Sequence, residues 1–168
     1  MPGSGKSLVV VVAGALALAA CGGGQIGFQT SPPPPQAPPP VASAPPSSIP
    51  AASIVGRWGF AAYHKEADRS RTEVAARGQC GKNGQPYVIG AGPTGGVMMH
   101  LADQAEPQEL RLKGGPGGKS YIGPDGPAAD AQDREVVSFS GQVLVLRWID
   151  PEIGGRYGTG VYVRCGRA

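Results

Sequence analysis

The chain has 168 residues and a formal net charge of +3, from 15 Lys+Arg against 12 Asp+Glu. The charges are interspersed without a basic block, which excludes the electrostatic footprint of a nucleic-acid binder or of an anionic-membrane patch. With 28 glycines and 18 prolines, the composition favours short strands and tight turns over helices. In chain order, the first element is an apolar run from Leu8 to Leu18, preceded by Lys6 and followed by Ala19-Ala20. A positive leader, a short apolar stretch and small residues before a cut read as an export signal over residues 1–20. The run is too short for a permanent bilayer-spanning helix.

Leu18-Ala19-Ala20-Cys21 resembles the lipobox of bacterial lipoproteins. The resemblance implies diacylglycerol on the Cys21 thiol, cleavage before Cys21, and acylation of the new amino terminus by a chain such as palmitate. One acyl chain holds a protein reversibly, whereas several make release slow. The expected location is the cell envelope, and Gly22 is not the aspartate associated with inner-membrane retention. The outer membrane is therefore the expected site, with the protein facing the periplasm or the surface.

Residues 21–53 read as the lipidated terminus and a linker. Gln29 to Ser53 is mainly Pro, Ala and Ser and carries no charge, so it favours extended polyproline II. At roughly 3.1 Å per residue it spans up to about 75 Å. A passive spacer is the expected role.

Residues 54–168 are the expected folded domain, with 21 of the glycines. Strands are expected at Ile54–Tyr63, Pro86–Gly90, Gly96–Leu101, Glu109–Lys113 and Lys119–Ile122. Two more flank Ser140-Gly141 in a hairpin, Glu135–Phe139 and Gln142–Ile149. Asp150–Gly155 reads as a turn, and Tyr157–Cys165 as a last strand with Tyr162 and Arg164 on one side and Val161 and Val163 on the other. Glu66–Arg77 lacks period-2 alternation and ends at Gly78, which marks a short helix. The fold class is mainly β: a small antiparallel barrel or meander with one short helix. Apolar residues on both faces of Val143–Trp148 imply a filled interior on one side and a covered face on the other.

Cys80 and Cys165 are the cysteines left after Cys21, and an even pair in an exported chain favours a disulfide. Gly56-Arg57-Trp58 resembles the glycine-x-tryptophan signature of lipocalins and other calycins. The resemblance implies that an arginine near the end of the last strand, here Arg164, packs across Trp58. It extends to the calycin-like barrels that inhibit periplasmic metalloproteases, some of them lipoproteins. Those hold a disulfide between close strands, whereas Cys80 and Cys165 lie 85 residues apart.

No catalytic residue, metal site or cofactor is expected. His64 and His100 are the only histidines, without the paired spacing of a metal site, and read as exposed strand-end residues. Ser120, Ser138 and Ser140 lack the sharp elbow of a catalytic nucleophile. The glycine-rich stretches 90–96 and 114–118 are not followed by a helix that would bind an anion, and read as hairpin loops. Gly123–Asp133 is expected to be a mobile surface loop and a place for partner contacts. The functional expectation is a non-enzymatic envelope lipoprotein displaying a β domain for binding or structural roles, with another envelope protein as the expected partner. A protease inhibitor and a carrier of a small apolar ligand are the alternatives.

Overall fold

The computed structural model describes residues 44–166. Cys21, the signal and most of the linker lie outside the described residues. Eight antiparallel strands close into a barrel in strict sequential order. They are β1 (Gly56–Tyr63), β2 (Tyr87–Ala91), β3 (Val97–His100), β4 (Pro107–Gly114), β5 (Ser120–Gly123), β6 (Arg134–Phe139), β7 (Val143–Trp148) and β8 (Thr159–Arg164). β1 pairs with β8 from Trp58 opposite Arg164 to Tyr63 opposite Thr159, which removes both sheet edges.

Helix α1 (Arg69–Gly78) lies between β1 and β2, one turn later than the sequence suggests because Glu66–Asp68 forms a 3-10 turn first. A second helix, α2 (Pro151–Tyr157), replaces the turn expected at 150–155. Its signals outweigh Gly154-Gly155: the Asp150 carboxylate accepts from the N–H groups of Glu152 and Ile153, and Pro151 stands in the first turn.

The barrel is lined by Ile54, Trp58, Ile89, Val97, Met99, Leu110, Ile122, Leu144, Leu146 and Tyr162. A second cluster lies outside the wall, where Ala76 of α1 covers Tyr63, Val161 and Val163. Thus β7 and β8 bury side chains on both faces. Gly59 allows the helix this close, since a Cβ there would meet the Ala76 carbonyl oxygen at 1.9 Å. Cys80, just past α1, is disulfide-bonded to Cys165, just past β8, with Cα atoms 5.2 Å apart.

Residues 44–53, assigned to the linker from composition, lie against the barrel. Gly114 N–H donates to the Pro45 carbonyl (2.6 Å) and Ala44 N–H to that of Gly126 (3.3 Å), while Ser47 Oγ donates to Ser120 Oγ (2.7 Å). Polyproline backbone has free carbonyls that a neighbouring strand can use.

The Gly123–Asp133 segment is also tied down, contrary to the expectation of a mobile loop. Lys113 Nζ, 4% exposed, contacts the Asp133 carboxylate at 2.6 Å and donates to the Pro124 and Pro127 carbonyls, each at 2.9 Å. A buried cation on the neighbouring strand organises what composition alone presents as a turn-rich excursion.

Candidate functional site: a cavity at one end of the barrel

Each end of the barrel carries an arginine stacked on a tryptophan, and the two pairs differ in how their hydrogen-bonding capacity is used. At one end the Arg164 guanidinium lies 4.1 Å from the Trp58 ring centroid. Its Nε donates to Gly141 O (2.8 Å), Nη1 to Val55 O (3.1 Å) and Nη2 to Ser53 O (2.5 Å). The Trp58 indole N–H donates to Ile54 O at 2.8 Å. Gly56 belongs to the same plug: its φ of 144° disfavours a side chain, and a Cβ would sit 2.8 Å from Arg164 Nη1. Gly56, Trp58 and Arg164 are thus brought together as a closed, saturated floor.

At the other end Arg134, the first residue of β6, stacks on Trp148 at 4.4 Å from the ring centroid. Arg134 is 4% exposed. Its Nη2 donates to the His100 carbonyl at 2.5 Å, but its buried Nε has no acceptor among the described residues. No carboxylate pairs with it among the described residues, whereas Lys113 has Asp133. A buried guanidinium without a counter-ion is costly, so this end of the barrel holds an unused charge.

Arg134 lines a cavity of about 230 Å³. Phe60, Tyr87, Trp148 and Tyr162 supply aromatic walls, His100 and Leu101 part of the rim, and Gly160 leaves room on β8. The Phe60 and Tyr162 rings are 4.8 Å apart, and Tyr87 and Tyr162 5.6 Å. His100 is half-buried rather than exposed. Its N–H donates to the Tyr87 hydroxyl oxygen (2.9 Å), and its Nδ1 lies 3.1 Å from that oxygen.

A polar clasp stands beside the cavity. Arg156 of α2 makes two bonds to the Asp103 carboxylate (3.0 and 2.9 Å), and the Tyr157 hydroxyl donates a third at 2.5 Å. The Tyr157 hydroxyl and the Arg156 guanidinium hold the Asp103 carboxyl below its usual range. Asp103 adopts φ 59°, a left-handed conformation that aspartate tolerates. The clasp fixes α2, and with it Tyr157 and Gly158, over one side of the cavity.

Burial pushes the Tyr162 phenol up to about 12, with the neighbouring Arg134 charge opposing the shift. The folded chain therefore keeps a proton that the unfolded chain releases near pH 10. Stability from Tyr162 is complete below about pH 10 and disappears as the pH rises through about 12, a loss of roughly 2–3 kcal/mol. Urea midpoints measured between pH 9 and 12 should fall accordingly, and Tyr162→Phe should remove that part of the fall. An unchanged profile in the variant would contradict the assignment.

No family model, curated protein or solved structure matches this chain. The barrel itself is compatible with a binding or carrier role.

The other residues flagged in the sequence serve the scaffold. Ser138 Oγ accepts from Arg69 (2.9 Å), which ties α1 to β6, and Ser140 Oγ accepts from Val143 N–H (3.1 Å) within the hairpin. In the 90–96 loop the Glu109 carboxylate accepts from Thr94 and Gly96 N–H groups. His64 is exposed at the end of β1, and no group of three or more metal-ligating side chains occurs among the described residues. Arg134, Tyr87 and Trp148 were not singled out as a site from the sequence. The available signal was period 2: Arg134 precedes Val136 by two, so both face inward once β6 forms a barrel wall.

Proposed function

We propose that this chain is a non-enzymatic envelope lipoprotein whose barrel binds a small molecule at the Arg134 end. The observation that carries the binding reading is the aromatic cavity of about 230 Å³ with a buried, incompletely bonded arginine in its wall. An engineered apolar cavity of about 150 Å³ holds benzene, so this volume suits a single substituted ring. Typical drug-sized sites run from about 300 Å³ upward, and an extended acyl chain does not fit. The lipobox-like Leu18–Cys21 sequence and the proline-rich stretch support the envelope location.

The protease-inhibitor reading has less to work with. It needs the segment before Ile54 to enter a protease cleft, and residues 44–53 are bonded to the barrel's own strands.

Two measurements test the proposal. Cys21→Ser should abolish incorporation of labelled palmitate into the chain, and labelling that persists in the variant, or is absent from the unmodified chain, would refute the anchor. Benzene should give saturation-transfer signals with the purified full chain, and Ala62→Trp, which places an indole at the cavity rim, should abolish them without changing the circular dichroism spectrum. Absence of signal from the unmodified chain at millimolar benzene would refute the binding reading.

A further inference from the structure

Resting on that reading of the cavity, we infer that its ligand is a small planar organic anion, an aromatic monocarboxylate, whose carboxylate pairs with Arg134 while its ring lies among Phe60, Tyr87, Trp148 and Tyr162.

The charge argument comes first. The cavity lining contains no aspartate or glutamate, and Arg134 forms no salt bridge among the described residues. A charged side chain is almost never this buried unless it is paired. The floor shows what the same chain does with a structural arginine even when it is only part-buried: Arg164 has an acceptor for Nε and for both terminal nitrogens. Arg134 keeps Nε unsatisfied, and the residue lines the cavity, where a guanidinium matches a carboxylate. The stack on Trp148 at 4.4 Å and the bond to His100 O hold the guanidinium in place before any ligand arrives. Preorganisation of this kind reduces the entropy lost on binding.

Charge number selects among anions. One guanidinium balances one negative charge. The other basic group in the lining, His100, has its Nδ1 engaged by Tyr87. A dianionic phosphate ester would bring a second charge into an aromatic pocket with nothing to balance it. The walls select the rest of the molecule. Tilted and edge-on rings with centroids 4.8–5.6 Å apart leave faces and edges suited to another ring, and the volume admits one.

The test compares 4-fluorobenzoate with its neutral analogue 4-fluorobenzyl alcohol by ¹⁹F NMR, using the full chain in amphipol at pH 7. The benzoate should bind at least tenfold more tightly than the alcohol. Arg134→Gln should erase that preference while leaving the alcohol's affinity within about twofold. Equal binding of the two probes to the unmodified chain would overturn the anion inference and leave the small-molecule reading standing. Binding of neither at millimolar concentration would overturn both. If Arg134→Gln does not fold, as read by circular dichroism, the ranking of the two probes on the unmodified chain decides the matter.

Discussion

Lys113→Met is expected to lower the unfolding free energy by about 3–5 kcal/mol, because it strands the Asp133 carboxylate in the protein interior. Asp133 is fully buried and Lys113 nearly so, with 2.6 Å between Nζ and Oδ1. The ammonium uses its other protons on the Pro124 and Pro127 carbonyls, and Asp133 Oδ2 accepts from Asp130 N–H at 3.1 Å. Removing the cation therefore unbinds a loop and leaves a charge with too few donors. The double variant Lys113→Met with Asp133→Leu should recover much of the loss, since an apolar pair of similar volume often replaces a buried ion pair without penalty. It should not recover all, because both proline carbonyls lose their donor. Urea unfolding followed by the fluorescence of Trp58 and Trp148 measures this. A loss below about 1 kcal/mol for the single variant would mean that water reaches Asp133 and that the pair is not the organising contact.

Reduction of Cys80–Cys165, or the double replacement by serine, is expected to cost about 4–5 kcal/mol on the chain-entropy account of a crosslink spanning 85 residues. The local consequence is as informative as the magnitude. Helix α1 has 10 residues, fewer than an isolated helix needs in water, and buries only Thr72 and Ala76. Its docking rests on the disulfide beyond its C-terminus, the Gly59 contact with Ala76 and the Arg69–Ser138 bond. Amide exchange in α1 should accelerate before exchange in β3–β5, which stand away from the β1–β8 seam in the strand order. Uniform acceleration across the barrel would show that α1 and the strands open as one unit.

These two contacts illustrate different degrees of legibility. The cysteine pair can be read in the sequence because exported chains with an even residue of cysteines tend to oxidise them, whatever the fold. The Lys113–Asp133 pair cannot, since 20 residues and a strand crossing separate partners that composition presents as ordinary surface charges. The same holds for Gly123–Asp133, whose Gly-Pro-Asp content suggests a mobile loop but whose ends meet a buried cation. Helix α2 was legible in principle. Asp150-Pro151 is a capping sequence, and the paired glycines after it obscured the signal.

The candidate site divides the same way. Alternation in β8 separates Tyr162 and Arg164 from Val161 and Val163, and this follows from strand geometry alone. Which side becomes the interior is decided by closure of β1 onto β8 and by α1 covering the other face. His100 reads as an exposed strand end and becomes part of a cavity wall, because Tyr87 comes from a different strand to meet it.

By itself the sequence determined the mainly β character, the positions of the strands to within a few residues, and the presence of one short helix before β2. These follow from interactions between near neighbours: side-chain period, turn residues and helix stops. The tertiary structure alone decided the closed eight-strand order, the cavity, and the contrast between a saturated Arg164 and an unsaturated Arg134. Those depend on contacts between residues as far apart as Ser53 and Arg164. Whether a buried charge finds partners depends on which strands surround it, and no local pattern carries that information.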